Sequence, residues 1–197
     1  MRPDAALLDP SRLYSRAEVL DRPSPVPEAS GVYAWYFEDA PPSVPTEDAH
    51  KRHGHSLLYV GIAPRKPAAT GKASGRTLRD RLRQHYALNA YGSTLRLTLG
   101  CLLGYELRRI ASVKHPGTAK RMTFGPAEAD LSAWMSENAR VVWAPCEEPW
   151  RLEDQLIDRL NPPLNLRGNA HNNFYPTLRA TRAACKQTAA SLPPLAS

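Results

Sequence analysis

The residues from Pro149 to Asn161 admit few conformations. Proline fits the first turn of a helix, where its missing N–H is not needed, so Pro149 opens one. Pro162-Pro163 closes it, because the first ring disfavours helical geometry at Asn161. At about 100° per residue Leu152, Leu156, Ile157 and Leu160 make an apolar stripe, and Glu153 falls inside it, while Arg151, Asp154, Asp158 and Arg159 lie on the other side. A carboxylate on the core-facing side is costly unless it is paired or bound to a metal. From this helix alone, a buried ion pair with an arginine and a metal or catalytic role both stand.

The pattern of the rest predicts an α/β (α+β) chain: a small mixed, largely antiparallel sheet flanked by helices. Val32 to Phe37 and Leu57 to Ile62 are rich in β-branched and aromatic residues and are expected to pair through a long, decorated connection. Gly75 to Leu88 carries Leu78, Leu82 and Tyr86 at helical spacing. A helix N-capped by Ser93 ends at Gly104, Glu106 to Ala111 and Arg121 to Phe124 are short strands, and Pro126 starts a helix ending near Asn138. Arg140 to Ala144 is a buried strand, and Thr177 to Ser191 a last helix. Residues 1–30 form a lead-in segment with one helical turn near Ser15 to Leu20, so ordered structure is expected to begin near Gly31.

The chain has 197 residues, enough for one domain with a genuine core, and a net charge of +7. Nearly all of that charge lies in one stretch, where Arg65, Lys66, Lys72, Arg76, Arg79, Arg81 and Arg83 face Asp80 alone. Such a stretch suits an anionic partner, nucleic acid above all. No long apolar run predicts a membrane span or a secretory signal, and a cytoplasmic protein that does not meet a membrane is expected. The cysteines Cys101, Cys146 and Cys185 are odd in number and far apart, which argues against a disulfide framework and a thiolate zinc site.

Five further positions stand out. Arg81 and His85 sit at i and i+4 on one border of the Leu78/Leu82 face, where an arginine either snorkels or clamps a phosphate with its planar fork. Tyr33 and Tyr59 lie in mid-strand, the ordinary place for packing residues. A tyrosine serves as a general base only if cations lower its pKa, which the basic stretch and a metal would do. His171, close to Asn165, is a candidate substrate contact.

Assembled, these pieces resemble the GIY-YIG nuclease family from about Gly31 to Asn165. Gly31-Val32-Tyr33 looks like the first signature strand and Tyr59-Val60-Gly61 like the second. Leu78 to His85 is similar to the family's first helix, whose catalytic arginine matches Arg81 and is followed four residues later by an aromatic residue or histidine, here His85. Glu153 matches the family's metal ligand, and Asn165 closes the motif.

The resemblance implies a metal-dependent endonuclease acting on DNA, with Mg²⁺ or Mn²⁺ held mainly by Glu153 and with 5′-phosphate and 3′-hydroxyl products. Tyr33 would be the general base, Tyr59 its support, Arg81 the clamp on the phosphorane and His85 an aid to proton transfer or phosphate orientation. Asn165 would hold the site in shape. Arg65, Lys66, Lys72, Arg76, Arg79, Arg83 and His171 would contact nucleic acid.

The domain is expected over residues 31–166, with an insertion at about 106–139 and a basic extension at 167–197, in a monomer or homodimer. The long spacing between the tyrosines resembles the restriction-type branch, or a stand-alone enzyme, more than the excision-repair branch. A non-cleaving nucleic-acid-binding module and a nuclease toxin or effector remain open alternatives.

Overall fold

The computed structural model describes residues 3–67, 75–111 and 121–195. Lys72 and the middle of the expected insertion lie outside the described residues. The centre of the fold is β1 (Gly31–Phe37), every residue of which is buried. It pairs antiparallel with β3 (His55–Ala63) on one side and with β6 (Ala139–Pro145) on the other, and the short β2 (Lys51–Arg52) extends β3. The resulting order is β2-β3-β1-β6, antiparallel throughout. The separate pair β4 (Arg108–Ile110) and β5 (Arg121–Thr123) forms a small second sheet.

Because β1 is the buried middle strand, its alternation serves two cores. Val32, Ala34 and Tyr36 pack with Leu57, Val60 and Ile62 beneath α1 (Pro3–Leu8) and α6 (Pro149–Leu160). Tyr33, Trp35 and Phe37 face α3 (Leu78–Ala87), α4 (Thr94–Leu102), α5 (Ala127–Asn138) and α7 (Tyr175–Ser191), with α2 (Arg16–Leu20) at their side.

A bulge in β3, where Trp35 pairs with Tyr59 but Tyr36 pairs with Leu57, places Leu58 and Tyr59 on the same face. The hydrophobic run alone does not reveal it.

Both sheet edges are covered. Tyr14 exchanges two backbone hydrogen bonds with Val141 on β6. On β3, Leu164 donates its N–H to the Leu58 carbonyl. The Asn165 amide then mimics a strand, accepting from Val60 N at 2.9 Å and donating to Val60 O at 2.8 Å.

Several expectations shift in detail. Ordered structure begins well before Gly31: Leu7 of α1 is fully buried, and its carbonyl accepts the Tyr36 hydroxyl. Helix α3 starts at Leu78 rather than Gly75, because Thr77 and Asp80 form a reciprocal capping box. Helix α6 runs as the prolines require and ends at Asn161 in the left-handed region. Arg96 on α4 is completely buried and paired with Glu128 on α5, an inward charge hidden by its apolar neighbours.

Candidate active site

Tyr33, Tyr59, Arg81, Glu153 and Asn165, spread over the chain, line one cavity of about 420 Å³ at the open end of β3. Tyr33 and Tyr59 come from the sheet, Arg81 from α3, and Glu153 from α6 on the opposite side of the sheet edge.

Gly61 makes that convergence possible. It lies opposite Tyr33 in the ladder, and a methyl group at its Cα would stand 2.5 Å from the Tyr33 hydroxyl and 2.6 Å from the ring carbon bearing it. Tyr33 therefore passes over β3 at the one residue without a side chain. Gly61→Ala is expected to destabilise the protein by about 1–3 kcal/mol through overpacking. At about 2–4 °C per kcal/mol for a chain of this size, a thermal melt reads the effect directly.

Behind Tyr33 lies a chain of hydrogen bonds. The Tyr33 hydroxyl is 2.8 Å from His85 Nε2, and His85 Nδ1 is 2.7 Å from Ser93 Oγ. The same Ser93 oxygen N-caps α4 by accepting from Arg96 N. His85 is fully buried among Tyr33, Trp35 and Tyr59 and does not line the cavity, so it is placed behind Tyr33 rather than beside a phosphate position. Burial, with Arg81 and Arg96 nearby, holds its pKa well below the ordinary value and keeps the ring neutral.

Burial also raises the Tyr33 pKa, and the neighbouring Tyr59 adds to the rise. Arg81 opposes it without reversing it. In the metal-free protein Arg81 pulls this pKa down only in part, so it stays above its ordinary value. Tyr59 is likewise raised by burial, with Arg81 pulling the other way.

Arg81 is held on two sides. Its Nε donates to the Tyr33 hydroxyl at 3.3 Å, and its Nη1 donates to Gln84 Oε1 and to the Gly92 carbonyl, each at 2.8 Å. Its Nη2 has no hydrogen-bond partner among the described residues, although the side chain lines the cavity.

Glu153 is half-buried and makes neither a hydrogen bond nor a salt bridge among the described residues. Burial pushes its pKa up to about 7, against the pull of Arg167 and Arg81. A lone, hard oxygen donor whose charge lacks a direct partner fits Mg²⁺ or Mn²⁺, which bind through one or two carboxylates while water and substrate phosphates complete the shell. Among the described residues no three His, Cys, Asp or Glu side chains cluster into a fuller cage.

The basic residues separate. Arg65 lines the cavity and Arg76 an adjoining cleft. Arg79 donates to the Val26 carbonyl and pairs with Glu28, which ties α3 to the segment before β1. Lys66, Arg83 and His171 are not among the residues lining the cavity.

Arg182 on α7 escaped the sequence reading as a site residue. It lines the cavity beside Tyr59 and Thr98, its Nε is buried with no partner among the described residues, and burial lowers its pKa. The signal was present: Leu178, Arg182, Cys185 and Ala189 form one helical stripe, with Arg182 inside it as Glu153 is inside its own.

A scan against family models matches residues 31–184 to the GIY-YIG catalytic domain, which takes in the first part of α7, Arg182 included, as well as the signature strands. No curated protein and no solved structure matches the chain.

Proposed function

The chain belongs to the GIY-YIG family, and from that membership we propose that it is a divalent-metal-dependent endonuclease hydrolysing phosphodiester bonds of DNA. The carrying observation is that the Glu153 carboxylate and Arg81 Nη2, neither with a hydrogen-bond partner among the described residues, share one cavity with the Tyr33 hydroxyl.

Glu153 would hold the metal, which supplies positive charge to neutralise the leaving 3′ oxygen. Arg81, fixed through Nε and Nη1, would offer Nη2 to the phosphate and stabilise charge developing on phosphorus. Arg182 would supply a second cation from the α7 side.

Tyr33 would orient the attacking water. As a neutral phenol it would take the water's proton while passing its own to His85 Nε2, so the pair works as a relay. The relay requires the tautomer in which Nδ1–H donates to Ser93. The Asn165 amide, bonded to both backbone groups of Val60, would fix β3 where Tyr59 and Gly61 frame the cavity.

The test is incubation of supercoiled plasmid, linear duplex and single-stranded DNA, and of RNA, with Mg²⁺, with Mn²⁺ and with chelator. Metal-dependent DNA strand breaks ending in 5′-phosphate and 3′-hydroxyl, lost in Tyr33→Phe, are expected. Binding without cleavage under every metal condition would overturn the reading in favour of a non-catalytic binding module.

A further inference from the structure

Beside the candidate active site lies a second cleft, of about 580 Å³, bounded by the end of β3 and by the turn after α3. The two spaces adjoin, with Ile62, Arg65 and Arg81 forming part of the wall of each. In it stand Leu88 and Tyr91, 56% and 57% exposed, the large apolar side chains most open to solvent among the described residues. Arg65, Arg76 and Arg81 line the same cleft.

The turn carrying Tyr91 is anchored. Ala90 N donates to Glu128, the Gly92 carbonyl accepts from Arg81, and Gly92 N closes the turn onto the Asn89 carbonyl. The Arg121 guanidinium stacks on the Tyr91 ring at 5.1 Å. An exposed aromatic ring on an anchored turn is a preorganised platform.

The chemistry around it suits a nucleobase. Gln84 Oε1 accepts from both Arg76 and Arg81, which settles the orientation of the amide and leaves its Nε2 donors without a partner among the described residues. Among the described residues, no acidic side chain lines the cleft, while Arg65 and Arg76 supply positive charge at its walls. Stacking on an aromatic ring, an amide donor for a base edge and cations for the backbone are the elements by which proteins hold unstacked bases.

We propose that this cleft receives one unpaired nucleobase next to the scissile phosphate, so that the substrate is single-stranded DNA or a duplex with an unpaired nucleotide at the cut. This rests on the endonuclease reading and names the substrate class for it. A base still paired in a duplex does not present its face to Tyr91. An unpaired one does, and its phosphate then lies toward Arg81.

The test uses the full chain and a matched set of oligonucleotides: single-stranded, fully paired, and paired except for one bulged nucleotide. Cleavage by the parent is expected to be at least about tenfold faster, in kcat/KM, on the unpaired substrates. Tyr91→Ala lowers that value by about tenfold, mainly through KM, and Tyr91→Phe restores it because the stacking face is kept.

An independent readout places 2-aminopurine at the bulge and follows its fluorescence on binding to Glu153→Gln protein. Quenching by the protein that weakens on adding Tyr91→Ala supports the proposal. Equal cleavage of paired and unpaired substrates overturns it and leaves the nuclease reading intact. Absence of cleavage on every nucleic acid overturns both. Unchanged kinetics and quenching in Tyr91→Ala also overturn it, leaving the exposed ring as a contact for another protein.

Discussion

Glu153→Gln is expected to abolish cleavage, by at least about 10³-fold, and at the same time to make the metal-free protein more stable above neutral pH. The two effects share one cause. In the folded chain the carboxyl is raised from its ordinary 4.5 to about 7 by burial, so the folded state holds its proton more tightly than the unfolded state. The stability it contributes is fully present below about pH 4.5 and is lost as pH rises to about 7. Above that, the parent carries a half-buried charge with no direct ion-pair partner among the described residues, and glutamine does not.

After allowance for partial exposure, the gain at pH 8 is on the order of 2 kcal/mol. That corresponds to about 4–8 °C in a melt. At pH 5 the difference largely disappears. Mg²⁺ should narrow the gap at pH 8 by stabilising the parent alone, since its ligand must be ionised. A variant less stable than the parent at pH 8 without metal, or one that still cleaves, would remove Glu153 from the centre of the site.

The position of Glu153 could be read from sequence because prolines fix the ends of its helix, and helical phase then places every side chain. Arg182 obeys the same rule in its own stripe, but positive charge is so abundant after Asp158 that one inward arginine is hidden among outward ones. Arg79 shows the reverse: its charge suggested phosphate contact, whereas in the fold it serves Val26 and Glu28. Composition reports how much charge a segment has, not which way each residue faces.

Helix α1 went unread because prolines near the N-terminus suggested loop, while what orders it is long-range packing of Leu7 beneath the sheet. The β3 bulge and the His85–Ser93 contact likewise depend on tertiary register. His85 was visible as i+4 from Arg81, yet whether it faced the cavity or stood behind Tyr33 was decided by Trp35 and Tyr59 closing around it.

Arg81→Lys is expected to cost about 10²–10³-fold in kcat while leaving the fold intact. Five N–H donors radiate from an arginine, and here three are spent inside the protein: one on Tyr33, one on Gln84 and one on Gly92. Those three bonds fix the plane of the group, so the remaining end is presented to the cavity at no further cost in side-chain entropy. Lysine has three donors on a flexible stem and cannot hold Tyr33 and Gly92 and still offer a fork to a phosphate.

The loss should therefore appear in kcat with KM little changed, because a lysine still attracts the anionic substrate. Arg81→Ala should be worse on both counts, since it also leaves the Gly92 carbonyl and Gln84 without their donor and loosens the turn that carries Tyr91. Steady-state kinetics of the two variants, with melts to confirm folding, separate these outcomes. If lysine restored near-parental kcat, charge alone would suffice at this position and the geometric role of the fork would be wrong.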